Sequence, residues 1–166
     1  DDANSEVKGT SDDDIISNSK SNSTIYSGDG DDSIFNSRGK HALIYAGDGN
    51  DTIQNKGASN DVLIYGEDGR DYIKNWTASH VTIDAGSGDD TIINDGIGTD
   101  ISIAMGAGSD LFIKTSASGS VIICDFGIGD AVSIVDGISD SGIASNGDTT
   151  IKAGDNGIIL QRVMFQ

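Results

Sequence analysis

The sequence predicts an all-β fold: a right-handed parallel β-roll, or two-sheet β-solenoid, with about 19–20 residues per coil and a C-terminal cap. Two observations predict it. A Gly-x-Gly-x-Asp turn, or a near variant, recurs along the chain, and short runs rich in β-branched residues flank each copy. The last aspartates of the first five copies are 19, 20, 19 and 20 residues apart, at Asp32, Asp51, Asp71, Asp90 and Asp110. Such a period is typical of stacked units that form one solenoid.

Each coil is expected to contain two strands joined by two turns, with apolar residues recurring in columns. Runs such as Leu43-Ile44-Tyr45 precede the glycine turn, and runs such as Thr52-Ile53-Gln54 follow it. The column seven residues before the motif aspartate is Ile25, Ile44, Ile64, Ile83, Ile103 and Ile123. The column two residues after it is Ile34, Ile53, Ile73, Ile92, Phe112 and Val132. Because strand side chains alternate faces, these columns are predicted to point inward and the residues beside them outward.

The period divides the chain into three parts. Residues 1–20 are predicted to be an irregular segment or a weak first coil, in which Asp13 lies 19 residues before Asp32. Residues 21–135 form the repeats, the last of which, ending at Asp130, is one residue short. Residues 136–166 lose the period and are expected to be capping strands. The chain starts at Asp1 without an initiator methionine, which suggests a processed chain or an excised segment.

Composition limits the classes of partner. The net charge is -17, which disfavours nucleic acid and anionic membranes as partners, and no apolar run is long enough to span a membrane. The single cysteine, Cys124, cannot form an intramolecular disulfide. No Ser/His/Asp or Cys/His arrangement is present that would suggest catalysis, so the chain is predicted not to be an enzyme.

The turns opposite the glycine turns contain two further columns. Asparagines end the strands after the glycine turns and are predicted to form a stacked amide ladder, at Asn36, Asn55, Asn75 and Asn94. A second column alternates histidine and aspartate, at His41, Asp61, His80 and Asp100. That column is either a transition-metal or pH-sensitive ladder, or a solvated edge with favourable charge alternation.

The glycine turns themselves suggest calcium. Alternate glycines allow a backbone tight enough to turn several carbonyl oxygens toward one point, and the following aspartate adds a carboxylate. An oxygen-only set with few charges suits Ca²⁺ better than Zn²⁺ or Mg²⁺. Since one coil cannot supply six to eight oxygens, each ion is expected to lie between two coils. The alternative is that the motif is only good turn chemistry, but its repetition in register favours calcium.

At these turns the chain resembles the RTX family, the hemolysin-type calcium-binding repeats, whose nonapeptide is Gly-Gly-x-Gly-x-Asp-x-apolar-x. The resemblance covers about residues 13–130 and implies secretion, a parallel β-roll and folding in millimolar extracellular calcium. It implies carboxylate ligands from Asp32, Asp51, Asp71, Asp90 and Asp110. It also implies carbonyl ligands around Gly28, Gly30, Gly47, Gly49, Gly69, Gly86, Gly88, Gly106 and Gly108.

The sequence departs from the family pattern in three ways. The family's first glycine is replaced by Ser27, Ala46, Ala85 and Met105. Glu67 is interpreted as an inserted residue, and Arg70 brings a cation to the same turn. The opposite turns lack the motif, so one row of calcium ions is predicted instead of two.

An apolar and aromatic patch is predicted on the outer face of one sheet, at Tyr26, Leu43, Tyr45, Leu63 and Tyr65. Exposed patches of this kind usually mark contacts, here self-association or a surface or glycan partner. We therefore expect a secreted, structural or adhesive calcium-binding solenoid that assembles into filaments. The alternative is an accessory, secretion or folding domain of a larger RTX-type enzyme or toxin.

Overall fold

The computed structural model describes residues 4–56, 60–76, 78–116, 119–135, 140–143, 149–153 and 156–160. Within these ranges the chain consists of short β-strands and connecting turns, and no helix is present. The strands are, in chain order, β1 (Ser5–Lys8), β2 (Ile15–Asn18), β3 (Ser23–Asp29), β4 (Ser33–Ser37), β5 (Leu43–Asp48), β6 (Thr52–Lys56), β7 (Val62–Asp68), β8 (Tyr72–Asn75), β9 (Val81–Asp84), β10 (Thr91–Asn94), β11 (Ile101–Ala104), β12 (Leu111–Lys114), β13 (Val121–Ile123), β14 (Ala131–Ile134), β15 (Asp140–Ile143), β16 (Thr149–Ala153) and β17 (Asn156–Leu160).

The strands form two sheets, and each coil gives one strand to each sheet. The first sheet has the order β1-β3-β5-β7-β9-β11-β13-β17-β16-β15, and the second has the order β14-β12-β10-β8-β6-β4-β2. Successive coil strands pair in parallel, whereas β15, β16 and β17 extend the first sheet as an antiparallel unit that pairs with β13 through β17. The predicted all-β parallel solenoid is confirmed.

The core lies between the sheets, and the two predicted inward columns form much of it, together with a column that was not predicted from the sequence, Val62, Val81, Ile101 and Val121. Ile25, Ile44 and Ile64 stand in register on β3, β5 and β7, and each is at most 1% exposed. Ile34 and Ile53 are fully buried on the facing sheet. Burial alternates along each strand, so apolar side chains fill the thin interior while their neighbours point outward.

The predicted asparagine ladder closes one edge of this core and is confirmed. Each amide nitrogen donates a hydrogen bond to the amide oxygen of the next coil, at 2.9 Å from Asn36 to Asn55, from Asn55 to Asn75 and from Asn75 to Asn94. Asn18 extends the ladder by one coil with a 2.9 Å bond to Asn36. The amide nitrogen supplies a donor and the oxygen an acceptor, so the column pairs with copies of itself.

The ladder ends at Lys114, which is in register with Asn94 and fully buried. A lysine ammonium accepts no hydrogen bond, and the Nδ2 atom of Asn94 is left without a partner. Burial lowers the pKa of Lys114. Lys114 was not among the predicted residues of the ladder, although its position, 20 residues after Asn94, places it in the column.

Residues 4–19 form a first coil through β1 and β2, and one prediction about this coil is wrong. Ile15 pairs with Ser33, so Asp14 and not Asp13 aligns with Asp32. Asp13 instead accepts a 2.8 Å hydrogen bond from the backbone N–H of Asp31. The sequence itself indicates that Asp14 is the equivalent residue, because Asp14 directly precedes its strand as the other motif aspartates do.

Candidate metal centre

At their glycine positions the turns stack so closely that an added Cβ atom would collide with the backbone of the neighbouring coil. Gly28 and Gly47 have φ values of 116° and 105°, in the left-handed region that favours glycine. A Cβ atom on Gly47 would lie 1.9 Å from the carbonyl oxygen of Gly28 in the preceding coil, and one on Gly49 would lie 2.1 Å from that of Gly30. Backbone packing alone therefore accounts for these glycines, and their presence is not by itself a sign of a metal.

The third glycine turn is regular, and the interpretation of Glu67 as an insertion is wrong. Glu67 pairs with Gly47 in the sheet and adopts a φ value of 74°, so it replaces the first of the two alternate glycines. The extra residue of this 20-residue coil lies in the opposite turn, because Asn55 and Ile64 are nine positions apart where Asn36 and Ile44 are eight. The constant separation of seven between Ile64 and Asp71 already contained this information.

The predicted ligand carboxylates come together in one buried column. Each of the five is 1% or 2% exposed, and they are Asp32, Asp51, Asp71, Asp90 and Asp110. The Oδ1 atom of each accepts the backbone N–H of the aspartate in the preceding coil, at 2.7 Å from Asp32 to Asp51 and 2.8 Å from Asp51 to Asp71. The same bond joins Asp71 to Asp90 and Asp90 to Asp110 at 2.8 Å.

The second carboxylate oxygens of this aspartate column are buried without a hydrogen-bond partner. This holds for Oδ2 of Asp32, Asp51, Asp71, Asp90 and Asp110. The aspartates at the two ends of the column differ, since Oδ2 of Asp14 accepts the N–H of Thr10 and Oδ2 of Asp130 accepts the N–H of Gly127, both at 2.7 Å. A buried acceptor without a partner costs about 1–3 kcal/mol, more when it is charged.

Burial disfavours the ionised form of these side chains. It raises the pKa of Asp51 to about 6, that of Asp71 to about 7 and that of Asp90 to about 6. The backbone hydrogen bond to each carboxylate opposes this effect, and the neighbouring carboxylates add to it. The pKa of Asp110 is also raised, again first by burial. The ionised carboxylates of neighbouring coils therefore repel one another, and a positive ion between them would reduce this repulsion.

The donor set fits a hard cation. Within the described ranges no three His, Cys, Asp or Glu side chains converge on one point, so an ion at this edge would take most of its ligands from backbone carbonyls. Some of these carbonyls already accept a hydrogen bond from the next coil, as Gly86 does from the N–H of Ala107 at 2.9 Å. A carbonyl oxygen has two lone pairs, so such a bond leaves one free for a cation. Orphaned carboxylate oxygens, one in each coil, complete the set.

The outer side of the same edge is also acidic. Asp29, Asp48 and Asp68 are in register on successive coils, and Ser87 Oγ donates to Asp68 Oδ1 at 2.6 Å. Burial, followed by the charges of Asp48 and Asp68, raises the pKa of Glu67.

The predicted outward patch forms as an aromatic ladder. The rings of Tyr26 and Tyr45 are parallel within 1° with centroids 5.0 Å apart, and those of Tyr45 and Tyr65 are stacked at 5.0 Å with an angle of 11°. Leu43 and Leu63 stand in register beside this tyrosine ladder. Tyr26 and Leu63 are each 41% exposed, so the face remains accessible to solvent.

The His/Asp column at the opposite edge also forms. His41 Nε2 lies 3.4 Å from Asp61 Oδ2, His80 Nδ1 lies 3.6 Å from Asp61 Oδ1, and His80 Nε2 lies 3.2 Å from Asp100 Oδ2. All four residues have φ values between 53° and 58° and side chains at least 49% exposed. These contacts are those of a solvated column in which histidine and aspartate alternate, and exposed contacts of this kind contribute little to stability.

The fold and the edge with the glycine turns together define the structural class of the protein. It is a parallel two-sheet β-solenoid with glycine turns and a buried aspartate column at one edge. No protein-family model matches the chain, and no curated protein matches it. The resemblance to the RTX repeats therefore stays a prediction. In the part of the chain that the structure describes, no helix has the length and apolar character needed to cross a membrane.

Proposed function

We propose that the chain is a non-enzymatic, extracellular calcium-binding β-solenoid with a structural or adhesive role, and that calcium drives its folding. The single observation that carries this proposal is the file of buried, unpartnered Oδ2 atoms in the aspartate column. Five like charges in a solvent-excluded column are unfavourable without a counterion. A cation between neighbouring coils would reduce the repulsion and give the Oδ2 atoms the partner that they lack.

Calcium is the cation that suits this edge. Its ligands would be oxygens only, most of them neutral carbonyls, and calcium accepts six to eight oxygens in a flexible geometry. Zinc prefers nitrogen and sulfur ligands, and magnesium demands a strict octahedron. Sites with few charged ligands bind calcium in the range of about 10⁻⁴–10⁻³ M, which is typical of extracellular modules. That range supports an extracellular location and a folding step that follows secretion.

The ions would form one file, because the two edges of the core differ. The edge at the asparagine ladder is satisfied by neutral amide bonds from coil to coil, so it has no need of a counterion. The ions would lie about 4.8 Å apart, one coil rise, beside the aspartate column.

A structural or adhesive role is supported by two features of the surface. The tyrosine ladder presents aromatic edges and hydroxyls on the outer face of the first sheet. In the described residues, β1 and β2 are edge strands with an open side, and Ile15 on β2 is 87% exposed. Open parallel edges are templates for pairing with another chain, and β14 offers a second such edge in the same sheet as β2.

The calcium proposal is tested by calorimetric titration of matched variants. Asp90→Asn removes one charge from the middle of the aspartate column, and Asp100→Asn removes one charge from the exposed His/Asp column. We expect Asp90→Asn to reduce the number of bound ions or weaken their binding at least tenfold, and Asp100→Asn to change neither. Equal effects of the two substitutions would contradict the assignment of calcium to the glycine edge.

The assembly proposal needs a separate measurement. Light scattering of the full chain in millimolar calcium should show particles that grow with protein concentration. The double substitution Tyr45→Ser and Tyr65→Ser should reduce them, because aromatic anchors supply much of the energy of such contacts. A folded monomer at every concentration, in both chains, would refute self-association and leave the calcium proposal intact.

A further inference from the structure

A groove runs along the coil axis between the tyrosine ladder and the outer acidic column. Its cavity of about 230 Å³ is lined on one side by Tyr26 and Tyr45 and on the other by Asp29 and Asp48. The floor is backbone, because Gly28 and Gly47 occupy the outward positions next to the tyrosines and have no side chain. The carboxylates alone would not define a site, but the aromatic wall and the glycine floor give this part of the edge a shape.

Glu67 lines the groove in the last of its three coils and is called its end wall. In the sheet it occupies the position held by Gly28 and Gly47 in the two preceding coils. Glu67 fits this position because it adopts the left-handed backbone of a glycine, with φ at 74°. A carboxylate is thus held in the line of the floor, one coil beyond Gly47.

The walls select against most ligand classes. An anion would be repelled by Asp29, Asp48 and Glu67. A sugar ring gains most by stacking on an aromatic face, but the tyrosines cover one another's faces at 5.0 Å and leave mainly their edges exposed. The remaining outer face of Tyr26 carries an ammonium of the chain itself, Lys8 Nζ, at 5.9 Å from the ring centroid. That ammonium is paired with Glu6 Oε1 at 2.8 Å, so the outer face of Tyr26 is not open to a ligand.

We propose that this groove binds a linear polyamine lying along the coil axis. Successive carboxylates of the acidic wall repeat with the coil rise of about 4.8 Å. The nitrogens of an extended propane-1,3-diamine unit are separated by nearly the same distance. Its ammonium groups would therefore meet Asp29, Asp48 and the end wall in turn, while its methylene groups pack on the tyrosine edges. The inference goes beyond calcium-dependent folding and uses none of the buried aspartates.

The test is calorimetric titration of the full chain with spermidine in saturating calcium, after circular dichroism has shown that each variant is folded. We expect saturable binding with one spermidine per chain. Glu67→Gln should weaken it about two- to fivefold, as for one exposed ion pair. Tyr26→Leu, which keeps an apolar wall for the methylene groups, should leave the affinity nearly unchanged, because an exposed ring edge offers an ammonium no cation–π contact. Asp61→Asn, which removes one charge at the opposite edge, should leave the affinity unchanged.

Two further measurements distinguish binding in the groove from non-specific attraction of a polycation to the acidic surface. Hexylamine, with one ammonium on a comparable methylene chain, should bind at least tenfold more weakly than spermidine. Spermidine should also change the tyrosine fluorescence of the wild-type chain and not that of Tyr26→Leu to the same degree. Equal loss of affinity in Glu67→Gln and Asp61→Asn, or no saturable binding in a chain that is folded by calcium, would overturn the groove proposal and leave the calcium proposal standing.

Discussion

The aspartate column and the asparagine ladder lie at the two edges of the same core and are built alike. Both point inward, both are buried, and both are joined from coil to coil by hydrogen bonds of 2.7–2.9 Å, as from Asp32 to Asp51 and from Asn36 to Asn55. They differ in what remains after that bond. An amide donates to the next coil and accepts from the previous one, whereas a carboxylate only accepts.

This difference assigns different physical roles to the two edges. The asparagine ladder is neutral and pairs with itself, so it stabilises the stack under any ionic condition. The aspartate column leaves one oxygen per coil unpartnered and accumulates like charges in a buried line. Its contribution to stability therefore depends on a counterion or on protons. The edge with self-sufficient bonds holds the coils in register, and we propose that the other edge makes folding depend on a counterion.

The largest expected effect comes from placing a charge in the neutral ladder. Asn75→Asp would remove the 2.9 Å bond from Asn75 Nδ2 to Asn94 Oδ1 and bury a carboxylate. An uncompensated buried charge costs about 3–5 kcal/mol, so urea unfolding in saturating calcium should show a loss of this size. Gln54→Glu, which adds a charge at an outward position of the neighbouring coil, is the control and should change little.

The reverse exchange should stabilise the calcium-free chain. Asp71→Asn keeps an oxygen for the N–H of Asp51 and removes one charge from the middle of the aspartate column. We expect the free energy of unfolding of the calcium-free protein to rise by about 1–3 kcal/mol, because one buried charge is removed, and the number of bound ions to fall. Circular dichroism in chelator would show this gain as a larger β fraction than in the wild-type chain. Asp89→Asn removes an exposed charge in the next coil and serves as the matched variant. If Asp71→Asn instead destabilises the calcium-free chain, the buried charge is not what disfavours its folding.

Protons should partly replace calcium. The pKa values of Asp51, Asp71 and Asp90 are raised to about 6, 7 and 6, above their ordinary values, so the folded calcium-free chain binds more protons than the unfolded chain. Its stability should therefore rise as pH falls from about 7 to about 4. Circular dichroism in chelator should show more β structure at pH 5 than at pH 7.5, and Asp71→Asn should reduce the difference. A β fraction that falls on acidification would contradict the assignment of these groups as buried acids.

The smallest effect is expected at the exposed His/Asp column. His80→Asn would remove the contacts to Asp61 and Asp100 at 3.6 Å and 3.2 Å, and asparagine tolerates the φ value of 54°. Exposed ion pairs contribute about 0–1 kcal/mol, so the free energy of unfolding should change by less than 1 kcal/mol. A larger loss in urea unfolding, insensitive to salt, would mean that this column is more than a solvated edge.

Periodicity was sufficient to predict the two-sheet solenoid, the inward isoleucines and the asparagine ladder, because parallel coils place equivalent positions in register. It also predicted that Asp32, Asp51, Asp71, Asp90 and Asp110 lie in one column. Periodicity did not reveal that Oδ1 of each aspartate accepts a hydrogen bond while Oδ2 has no partner, since this depends on the position of the backbone N–H in a neighbouring coil. Counting from the motif alone misplaced Asp13 and Glu67, whereas counting from the strands would have corrected both. Lys114 was missed because a cation at a buried position contradicts composition-based expectation.

Circular dichroism in chelator and in calcium tests the central claim most directly. The claim is that the aspartate column prevents folding at neutral pH until a cation neutralises it. The account predicts a coil spectrum in chelator at pH 7.5 and a β spectrum after addition of millimolar Ca²⁺, with no such change on addition of monovalent salt at equal ionic strength. A β spectrum that is the same in chelator and in calcium would contradict it.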